Sequence, residues 1–507
     1  MARKWWTLLA VCVATFMLLL DITVVNVALP DIQKSLGASL SSLQWVVDAY
    51  SLTLAAFLLT AGSLADRIGR RRVFAVGFLI FTVASFLCGI SPNATVLNLA
   101  RGLQGVGGAA MFATSLALIA QEFQGKERGT AIGAWGATIG GAVAVGPLIG
   151  GALTEGLGWE WIFFVNVPIG AAAILLTVTK LANLKAPDPS PIDWPGLAAF
   201  SLGLFGLIFG LIRGNAEGWA SAQILASLIV SAVLLVAFVG IEMRTLNAML
   251  DLSLFRKPAF AGVSIVAFAL SGGMFALFLY ITLYVQDVLG HSPLQAGLIF
   301  LPLTLLSFFV APVAGKLSAR IPIRALLGVG LALVGIALLL MHGVQLGDSW
   351  TTLLAGFLLA GAGIGMVNPG IAQTAIGVVP PQKAGMASGI NNTFRQVGIA
   401  TGVAGLGAIF QSQVASKLTH LPPGTPSGFS DAVSSGGIQA AVHAAPPGSR
   451  AQLTTAADQA FISGFNEILL VGAIVALVGA VAGFALVRSR DFVAAPDGEP
   501  AAEPAAA

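Results

Sequence analysis

The sequence predicts an all-α polytopic membrane protein with about fourteen transmembrane helices. Of the 507 residues, 57% are hydrophobic and only 9% are charged, whereas about a quarter of the residues of a soluble domain are charged. Apolar stretches of about 18–25 residues recur along nearly the whole chain, and each is long enough to cross a bilayer as a helix. The basic residues are concentrated in alternate loops between these stretches. These three observations together favour membrane spans over a soluble core.

Polar, glycine-rich or proline-rich residues separate the predicted spans. The first span follows Arg3 and Lys4 and is too long for the apolar region of a signal peptide, so we expect it to stay uncleaved. The predicted limits of the spans, in chain order, are 6–29, 45–64, 73–90, 96–120, 130–154, 161–179, 195–212, 222–242, 260–285, 294–314, 324–341, 350–368, 386–409 and 464–487.

The distribution of lysine and arginine predicts the orientation in the membrane. With the amino terminus inside the cell, about 19 of the 25 basic residues lie on the cytoplasmic side, in agreement with the positive-inside rule. The loop 67–72 alone contributes four arginines to that side. We therefore expect a multi-pass protein of the cell (plasma or inner) membrane with both termini in the cytoplasm.

A weak internal repeat predicts two six-helix bundles with two extra helices between them. The basic loop 62–72 after span two has an echo at 315–324 after span ten. We expect an amino-terminal bundle at 1–185, a connector with two extra helices at 186–257 and a carboxy-terminal bundle at 258–490. An external segment at 411–463 interrupts the second bundle. Residues 491–507 are rich in alanine, proline and acidic residues and predict a disordered cytoplasmic tail.

Several functional classes are disfavoured by what the sequence contains. No glycine-rich phosphate loop followed by Lys and Ser/Thr is present, which argues against ATP as an energy source. The two cysteines, Cys12 and Cys88, lie in apolar runs and predict buried thiols without a disulfide. The four histidines fall in predicted external loops or at span ends, so we expect no metal site. The net charge of +3 gives no reason to expect nucleic acid as a partner. We do not expect an enzyme.

Asp21 is a carboxylate inside the first apolar run, and such a charge costs about 2.5–3.5 kcal/mol at a helix centre. Arg101 lies in span four, and the two residues differ in depth by about one helical turn. Direct pairing or coupling through water is therefore geometrically allowed. The alternative is that Arg101 only extends to the outer interface. Burial disfavours the charged carboxylate and a nearby arginine favours it, so Asp21 is a candidate proton carrier.

The loop between spans two and three reads Gly62-Ser-Leu-Ala-Asp66-Arg67-Ile-Gly69-Arg70-Arg71-Arg72. Its glycines permit a tight reversal, and Asp66 can pair with an arginine or face a helix amino terminus. Basicity alone fits any cytoplasmic loop. The spacing, however, resembles the signature loop of the major facilitator superfamily. That resemblance implies a conformational lock in which Asp66 contacts the opposite half, with Arg70 as its partner and Gly62, Arg67 and Gly69 in the same motif.

Two further segments narrow the resemblance. Span five contains Gly146-Pro147-Leu-Ile-Gly150-Gly151, where small residues permit close packing and the proline removes a backbone hydrogen bond. This segment resembles the motif that marks antiporters in the superfamily, although Ala142 replaces a usual glycine. Residues 20–30 of span one resemble the fourteen-helix drug:proton antiporter branch. The resemblance implies proton coupling by Asp21 with Arg101, and a kink at Gly146, Pro147, Gly150 and Gly151 that favours exchange.

Other polar or aromatic residues within the spans are candidates for a substrate cavity between the bundles. Asp48 could face this cavity or be a solvated helix-end charge. Trp135 could stack on an aromatic ligand or pack in the core. Arg395 could be a cavity charge or be tied to Asn391 or to a carbonyl. The complete set of cavity candidates is Asn26, Asp48, Gln104, Trp135, Asn392 and Arg395.

These observations predict a secondary transporter that works by alternating access. We expect export of hydrophobic or cationic drug-like compounds in exchange for protons, and the word "drug" comes from the resemblance. The alternatives are export of one endogenous metabolite or antibiotic and, less favoured by span five, proton symport. A receptor or scaffold would not need the buried charges. The expected partners are the small-molecule substrate, protons and the lipid bilayer. The proton gradient replaces any cofactor, and the sequence is compatible with a monomer.

Overall fold

The computed structural model of the protein describes residues 2–38, 40–182, 191–245, 248–318, 320–419, 421 and 425–493. Within these ranges, the side chains of residues 26, 40, 41, 126, 143, 144, 147 and 293 lie outside the description. The predicted tail beyond residue 493, part of the predicted connector and the side chains of Asn26 and Pro147 are therefore not described. The described part is helical and contains no β-strand.

The amino-terminal half contains seven helices that correspond to the first six predicted spans. The sixth span is divided at Val165 into the short helix α6 and the longer helix α7. These helices are α1 (Arg3–Leu36), α2 (Leu40–Ile68), α3 (Arg70–Gly89), α4 (Ala94–Glu122), α5 (Gly125–Leu157), α6 (Trp161–Phe164) and α7 (Asn166–Lys180).

The remaining helices form the hairpin of the connector, the carboxy-terminal bundle and a small cap. They are α8 (Trp194–Glu217), α9 (Ala222–Glu242), α10 (Pro258–Leu270), α11 (Leu277–Leu283), α12 (Pro293–Ile299), α13 (Leu301–Leu317), α14 (Ile323–Met341), α15 (Leu354–Gly377), α16 (Ala384–Lys417), α17 (Phe429–Ser434), α18 (Ile438–His443) and α19 (Arg450–Leu486).

Local sequence signals explain several helix ends. Helix α1 continues through Pro30 and ends where Gly37 adopts a left-handed conformation (φ 57°). The side chain of Asn93 caps α4 by accepting a hydrogen bond from the Val96 amide (3.0 Å). Ser292 and Gln295 form a reciprocal capping box at the start of α12. Helix α1 is therefore longer than the predicted span, because a proline removes only one hydrogen bond.

Twelve helices of the described part are long and apolar enough to cross a membrane, so the chain is a multi-pass membrane protein. Two more helices occupy the positions of predicted spans five and ten. Helix α5 has 33 residues and lies against α1 and α13. Helix α13 has 17 residues and directly follows α12. Counting both would give fourteen spans, and that number stays a prediction.

Predicted span nine is interrupted, and the last two predicted spans are longer than expected. Two π-helical segments, Ser271–Phe275 and Tyr284–Val288, flank α11 and divide predicted span nine. Such segments arise where one extra residue enters a turn, and they widen the helix locally. Around the external segment, α16 extends to Lys417 and α19 already begins at Arg450. Residues 450–463 of the predicted external segment are therefore the first part of α19.

The two bundles meet along α2 with α16 and along α5 with α13. Helix α8 lies against both α2 and α16, so the connector hairpin is packed along the contact between the bundles. Helix α9 contacts mainly α8 and exposes apolar side chains such as Ile229, Val233 and Val236. Exposed apolar side chains on a helix of this composition are suited to lipid.

Candidate proton and substrate site

Asp21 and Arg101 form an ion pair in the interior of the amino-terminal bundle. The Arg101 Nη1 atom lies 2.5 Å from Asp21 Oδ2, and each side chain is only 1% exposed. The Arg101 Nε atom donates a second hydrogen bond to the carbonyl of Val46 on α2 (2.9 Å). The structure therefore brings the two predicted coupling residues into direct contact, with Arg101 turned into the bundle instead of toward the outer interface.

Polar side chains from α3, α4 and α7 complete the surroundings of Asp21. Gln104 Nε2 donates to Asp21 Oδ1 (2.8 Å), while Gln104 Oε1 accepts a hydrogen bond from Arg101 Nη1 (2.7 Å). Asn166 Nδ2 lies 3.4 Å from Asp21 Oδ1 and donates to Ser85 Oγ (3.1 Å). Ser85 in turn donates to the carbonyl of Phe163 (3.0 Å). We call Asp21, Ser85, Arg101, Gln104 and Asn166 the Asp21 cluster.

Aromatic rings enclose the cation of the cluster. The Arg101 guanidinium lies 4.3 Å from the centre of the Tyr50 ring and 5.7 Å from that of Phe163. A desolvated cation over an aromatic face gains about 2 kcal/mol or more. Arg101 is thus compensated by a carboxylate, a carbonyl, an amide and a ring face. Removing one partner of such a buried pair costs about 3–5 kcal/mol, because the other charge remains uncompensated.

Two of the predicted kink residues bring α5 close to α1 beside Asp21. A Cβ atom at Gly146 would lie 1.9 Å from Thr23 Oγ1, and one at Gly150 would lie 3.2 Å from the Val24 Cα. Gly151, in contrast, has no neighbour within 4 Å of its Cβ position. Helix α5 is continuous through this segment. Gly146 and Gly150 therefore permit the close packing of α5 against α1 next to Asp21. Gly151 has no part in this packing.

Asp66 contacts the opposite bundle at the amino terminus of α16. Its carboxylate accepts hydrogen bonds from the backbone amides of Gly385 (3.0 Å) and Met386 (2.8 Å). Arg70 donates to Asp66 Oδ1 through Nε and Nη2 (3.1 and 2.9 Å) and also to the carbonyl of Pro381. A carboxylate at a helix amino terminus is stabilised by the free amides and the helix dipole.

The rest of the predicted lock motif shapes the same face of the molecule, which we call the Asp66 face. A Cβ atom at Gly62 would lie 2.2 Å from the carbonyl oxygen of Gly385, so the bundles touch through their backbones. Gly69 begins α3 with φ of 109°, a conformation that glycine adopts readily. Arg67 points to the connector and donates to the carbonyls of Pro191 (2.7 Å) and Ala248 (2.9 Å).

Asp48 and Trp135, two of the predicted cavity residues, have partners inside the protein. Asp48 Oδ2 lies 3.7 Å from Arg213 Nη1 on α8, and its side chain is 15% exposed. Asp48 is therefore ion-paired and largely buried in this conformation, and its place in a substrate cavity stays a prediction. Trp135 is 1% exposed and donates from Nε1 to Thr15 Oγ1 (2.9 Å), which agrees with the packing alternative.

The predicted cavity residues of α16 are buried with partly unused polar groups. Both polar atoms of the Asn392 side chain lack a hydrogen-bond partner. Arg395 Nη2 donates to Asn368 Oδ1 on α15 (3.0 Å), where the sequence suggested Asn391 or a carbonyl. The Arg395 guanidinium lies 5.9 Å from the ring centre of Phe275. Gln104, the remaining described candidate, belongs to the Asp21 cluster.

Sequence reasoning missed several residues of this site. Ser85 and Asn166 lie in apolar runs, and a polar residue inside a span was the signal that could have selected them. Tyr50 and Phe163 gave no such signal, because aromatic residues are common in membrane helices. Arg213 was missed because it lies at the end of a predicted extra helix. Its partners on α2 become visible only when the hairpin is packed.

Comparisons with known proteins identify the family. The sequence profile of the Major Facilitator Superfamily matches residues 11–403. The chain belongs to the Major Facilitator Superfamily. It is 36% identical over 422 residues to "Multidrug resistance protein Stp" of Mycobacterium tuberculosis, covering 83% of this chain and 78% of that relative. It is 34% identical over 493 residues to "Tetracenomycin C resistance and export protein" of Streptomyces glaucescens, covering 94% and 90%.

A solved structure supports the fold. The proton:xylose symporter XylE aligns with a TM-score of 0.62 at 12% identity, covering 96% of each chain. The present chain, as a member of the superfamily, is a membrane transporter and not an enzyme. The proteins similar to it include ones named for multidrug and antibiotic resistance. The fourteen-helix branch, the orientation and the coupling ion stay predictions.

Proposed function

We propose that the protein exports hydrophobic or cationic drug-like compounds in exchange for protons, with Asp21 as the proton carrier. The observation that carries this proposal is the buried ion pair between Asp21 and Arg101 inside the hydrogen-bonded Asp21 cluster. Ionisable side chains inside membrane spans cost free energy, and those that are present usually have a function. The resistance names of two similar proteins support a drug-like cargo.

The charge balance of the cluster supports exchange. With Asp21 ionised, the charges of Asp21 and Arg101 cancel and the cluster is neutral. A proton that binds Asp21 leaves a net charge of +1 in a buried place. Repulsion between two charges is strong where the effective dielectric constant is low, so a cationic cargo nearby would be disfavoured. Proton and cationic cargo would then exclude each other, which is the requirement for antiport.

The closed contact between the two bundles at the Asp66 face supports alternating access. The contacts of Asp66 with Gly385 and Met386 hold the two bundles together at the face that we predict to be cytoplasmic. Asp21 lies away from this contact, because its partner Arg101 bonds to Val46, twenty residues before Asp66 on α2. We infer that opening of the Asp66 face follows proton binding and that the proton leaves to the cytoplasm. Rocking of two bundles about a central site is the usual motion of such folds.

A second candidate is export of one specific compound. The relative from Streptomyces glaucescens carries the name of a single antibiotic, tetracenomycin C, and matches over 94% of this chain. The polar atoms of Asn392 and the Arg395–Asn368 pair could bind a cargo with several hydrogen-bonding groups. In that case the chemistry at Asp21 is unchanged and only the range of cargo narrows.

The test uses everted membrane vesicles with an imposed pH gradient, acid inside, followed by an acridine dye. Adding cationic and amphipathic compounds should collapse the gradient with the wild-type protein. Asp21→Asn should abolish the collapse, because an amide cannot carry the proton. Asp431 on α17 is an exposed carboxylate, so Asp431→Asn is the matched control and should behave as wild type.

Each other outcome has a definite meaning. Collapse that persists in Asp21→Asn would show that another group carries the proton. Collapse only after the compound is loaded inside the vesicles would indicate symport. A response to one compound alone would favour the single-cargo candidate. A wild-type protein that gives no response to any compound under these conditions would contradict export of drug-like cations.

A further inference from the structure

The side-chain oxygen of Asn166 is a buried hydrogen-bond acceptor without a partner, placed beside the proposed proton carrier. Asn166 is 1% exposed, and its Oδ1 atom makes no hydrogen bond. We propose that Asn166 is a positioning residue for proton coupling. Its amide rotates when Asp21 binds a proton, so that Oδ1 accepts the hydrogen bond of the neutral carboxyl group. This inference rests on the proposed function, because it assigns a role within the same site.

The arrangement around Asp21 fits only the ionised carboxylate. Three N–H groups point to its two oxygens, from Arg101 Nη1 (2.5 Å), Gln104 Nε2 (2.8 Å) and Asn166 Nδ2 (3.4 Å). An ionised carboxylate only accepts hydrogen bonds, whereas a protonated one must also donate its O–H. A proton arriving from water forms an O–H bond on one oxygen and needs an acceptor there. A buried O–H without an acceptor costs about 1–3 kcal/mol.

The other polar groups of the cluster cannot supply that acceptor without losing an existing bond. Arg101 carries only donors. The Gln104 oxygen is already occupied by Arg101 Nη1 (2.7 Å), so turning this amide would break a charge-assisted hydrogen bond. The Ser85 hydroxyl donates to the Phe163 carbonyl and accepts from both amides.

Asn166 is the amide of the cluster that can turn without breaking a bond to Arg101. Rotation of its amide gives up the longest of the three contacts to Asp21, at 3.4 Å, and one bond to Ser85. Ser85 Oγ keeps the hydrogen bond from Gln104 Nε2 (3.3 Å), so it remains satisfied. In exchange, Oδ1 accepts the O–H of the protonated carboxyl group, while Nδ2 gives up its two acceptors. The amide thus matches either charge state of Asp21.

Few other groups near Asp21 could bind the proton or accept the hydrogen bond of the carboxyl group. The titratable groups that face Asp21 are Arg101 on α4, Tyr50 on α2 and Cys88 on α3. The Tyr50 hydroxyl makes no hydrogen bond to Asp21 or to any other described group. From α5, α6 and α7 come Gly146, Phe163 and Asn166, and none of these residues titrates.

The experiment measures the carboxyl band of Asp21 by infrared difference spectroscopy of the full-length protein in lipid. The C=O band of the protonated carboxyl, assigned by its loss in Asp21→Asn, is followed as the pH is varied. Two variants of nearly equal shape are compared, Asn166→Val without any acceptor and Asn166→Thr with a hydroxyl acceptor. Asn166→Val should lower the midpoint pH of the band by about one unit, a tenfold loss of proton affinity, because one hydrogen bond to the neutral form is lost.

The sign of the shift separates the possible roles. If Asn166 acted only as a donor to the carboxylate, Asn166→Val would raise the midpoint instead. An unchanged midpoint would mean a packing role, and either result would overturn the inference. The midpoint pH of Asn166→Thr should lie closer to the wild-type value than that of Asn166→Val does. Gln104→Leu removes a donor and should shift the midpoint upward, which checks that the band reports hydrogen bonds at Asp21.

Transport separates this inference from the proposed function. If the wild-type band titrates but vesicle transport of ethidium, a hydrophobic aromatic cation, does not depend on a pH gradient, then the proposed function fails. If transport is proton-coupled and both Asn166 variants share the wild-type midpoint, then only the role of Asn166 fails. Trp135→Phe, which loses the hydrogen bond to Thr15 elsewhere in the same bundle, should leave the midpoint unchanged.

Discussion

Individual residues of the amino-terminal bundle form a charged, hydrogen-bonded network in the buried interior. The donors to Asp21 come from α4 and α7, and the second bond of Arg101 goes to α2. Because the network joins α1 to three other helices, a small movement of one helix changes the surroundings of the carboxylate. A proton site that responds to helix movement is what coupling requires.

At the residue scale, Gly146 is the position where a single methyl group should disturb this network. Gly146→Ala would place a Cβ atom 1.9 Å from Thr23 Oγ1, two residues from Asp21. Overpacking of this kind costs about 1–3 kcal/mol. We expect lower thermal stability in detergent and at least a several-fold slower transport. Gly151→Ala is the matched control, since no atom lies within 4 Å of its Cβ position. Equal behaviour of the two variants would contradict a packing role for Gly146.

At the scale of elements, α8 fastens the connector hairpin to the amino-terminal bundle. Near its beginning, Ser201 forms a hydrogen bond with Thr60 on α2 (2.9 Å). Near its end, Arg213 donates to Gln44 Oε1 (2.9 Å) and lies beside Asp48. The contact of α8 with α16 includes one polar bond, from Asn215 Nδ2 to the Ala404 carbonyl (2.9 Å). Helix α8 is thus bonded to the amino-terminal bundle in its first half and near its end, and it lies against α16 of the other bundle.

Arg213 should therefore contribute to the stability of the whole protein through α2. Arg213→Ala leaves the largely buried Asp48 without its cation, and we expect a loss of about 1–3 kcal/mol in unfolding free energy. Combining it with Asp48→Asn should restore part of that loss, because the unpaired charge is removed. The measurement is a double-mutant cycle of thermal unfolding in detergent. Additive losses in the double variant would show that the two residues do not interact.

At the scale of the whole molecule, the two bundles are held together at the Asp66 face by backbone contacts and by the side chains of Asp66 and Arg70. Helices α2 and α16 touch at Gly62 and Gly385, and α5 and α13 touch at Gly129 and Gly315. Close backbone contact gives dispersion energy without a large side chain that must be moved when the bundles separate. Such a contact can open and close repeatedly at low cost.

A methyl group in this contact should shift the balance toward an open Asp66 face. Gly385→Ala would place a Cβ atom 2.5 Å from the Gly62 carbonyl oxygen and 2.7 Å from Asp66 Oδ1. We expect a longer distance between spin labels at the exposed residues Ile68 and Gln382, measured by pulsed electron resonance. Gly405→Ala on the same helix has no neighbour within 4 Å and should leave the distance distribution unchanged. An unaltered distribution in Gly385→Ala would contradict the closing role of this contact.

The sequence by itself determined the class of the protein, because membrane spans depend on local hydrophobicity and length. It also selected Asp21, Arg101 and Asp66, since a charge in an apolar run or a fixed loop spacing is visible without coordinates. The helix limits were less well determined: α1 passes Pro30, and α19 includes residues that the sequence placed in an external loop. Local signals near a helix end compete with tertiary packing, and the packing contacts cannot be predicted from a short segment of sequence.

Only the tertiary structure decided which polar side chains contact one another. Ser85 and Asn166 are 81 residues apart in the chain, and both reach the cluster because α3 and α7 pack together. The same is true of Asp48 and Arg213, whose pairing depends on where α8 lies. A buried polar atom is stable only with a partner, and the partner is supplied by helices distant in sequence. The sequence therefore selected the carboxylate, and the fold determined which polar groups surround it.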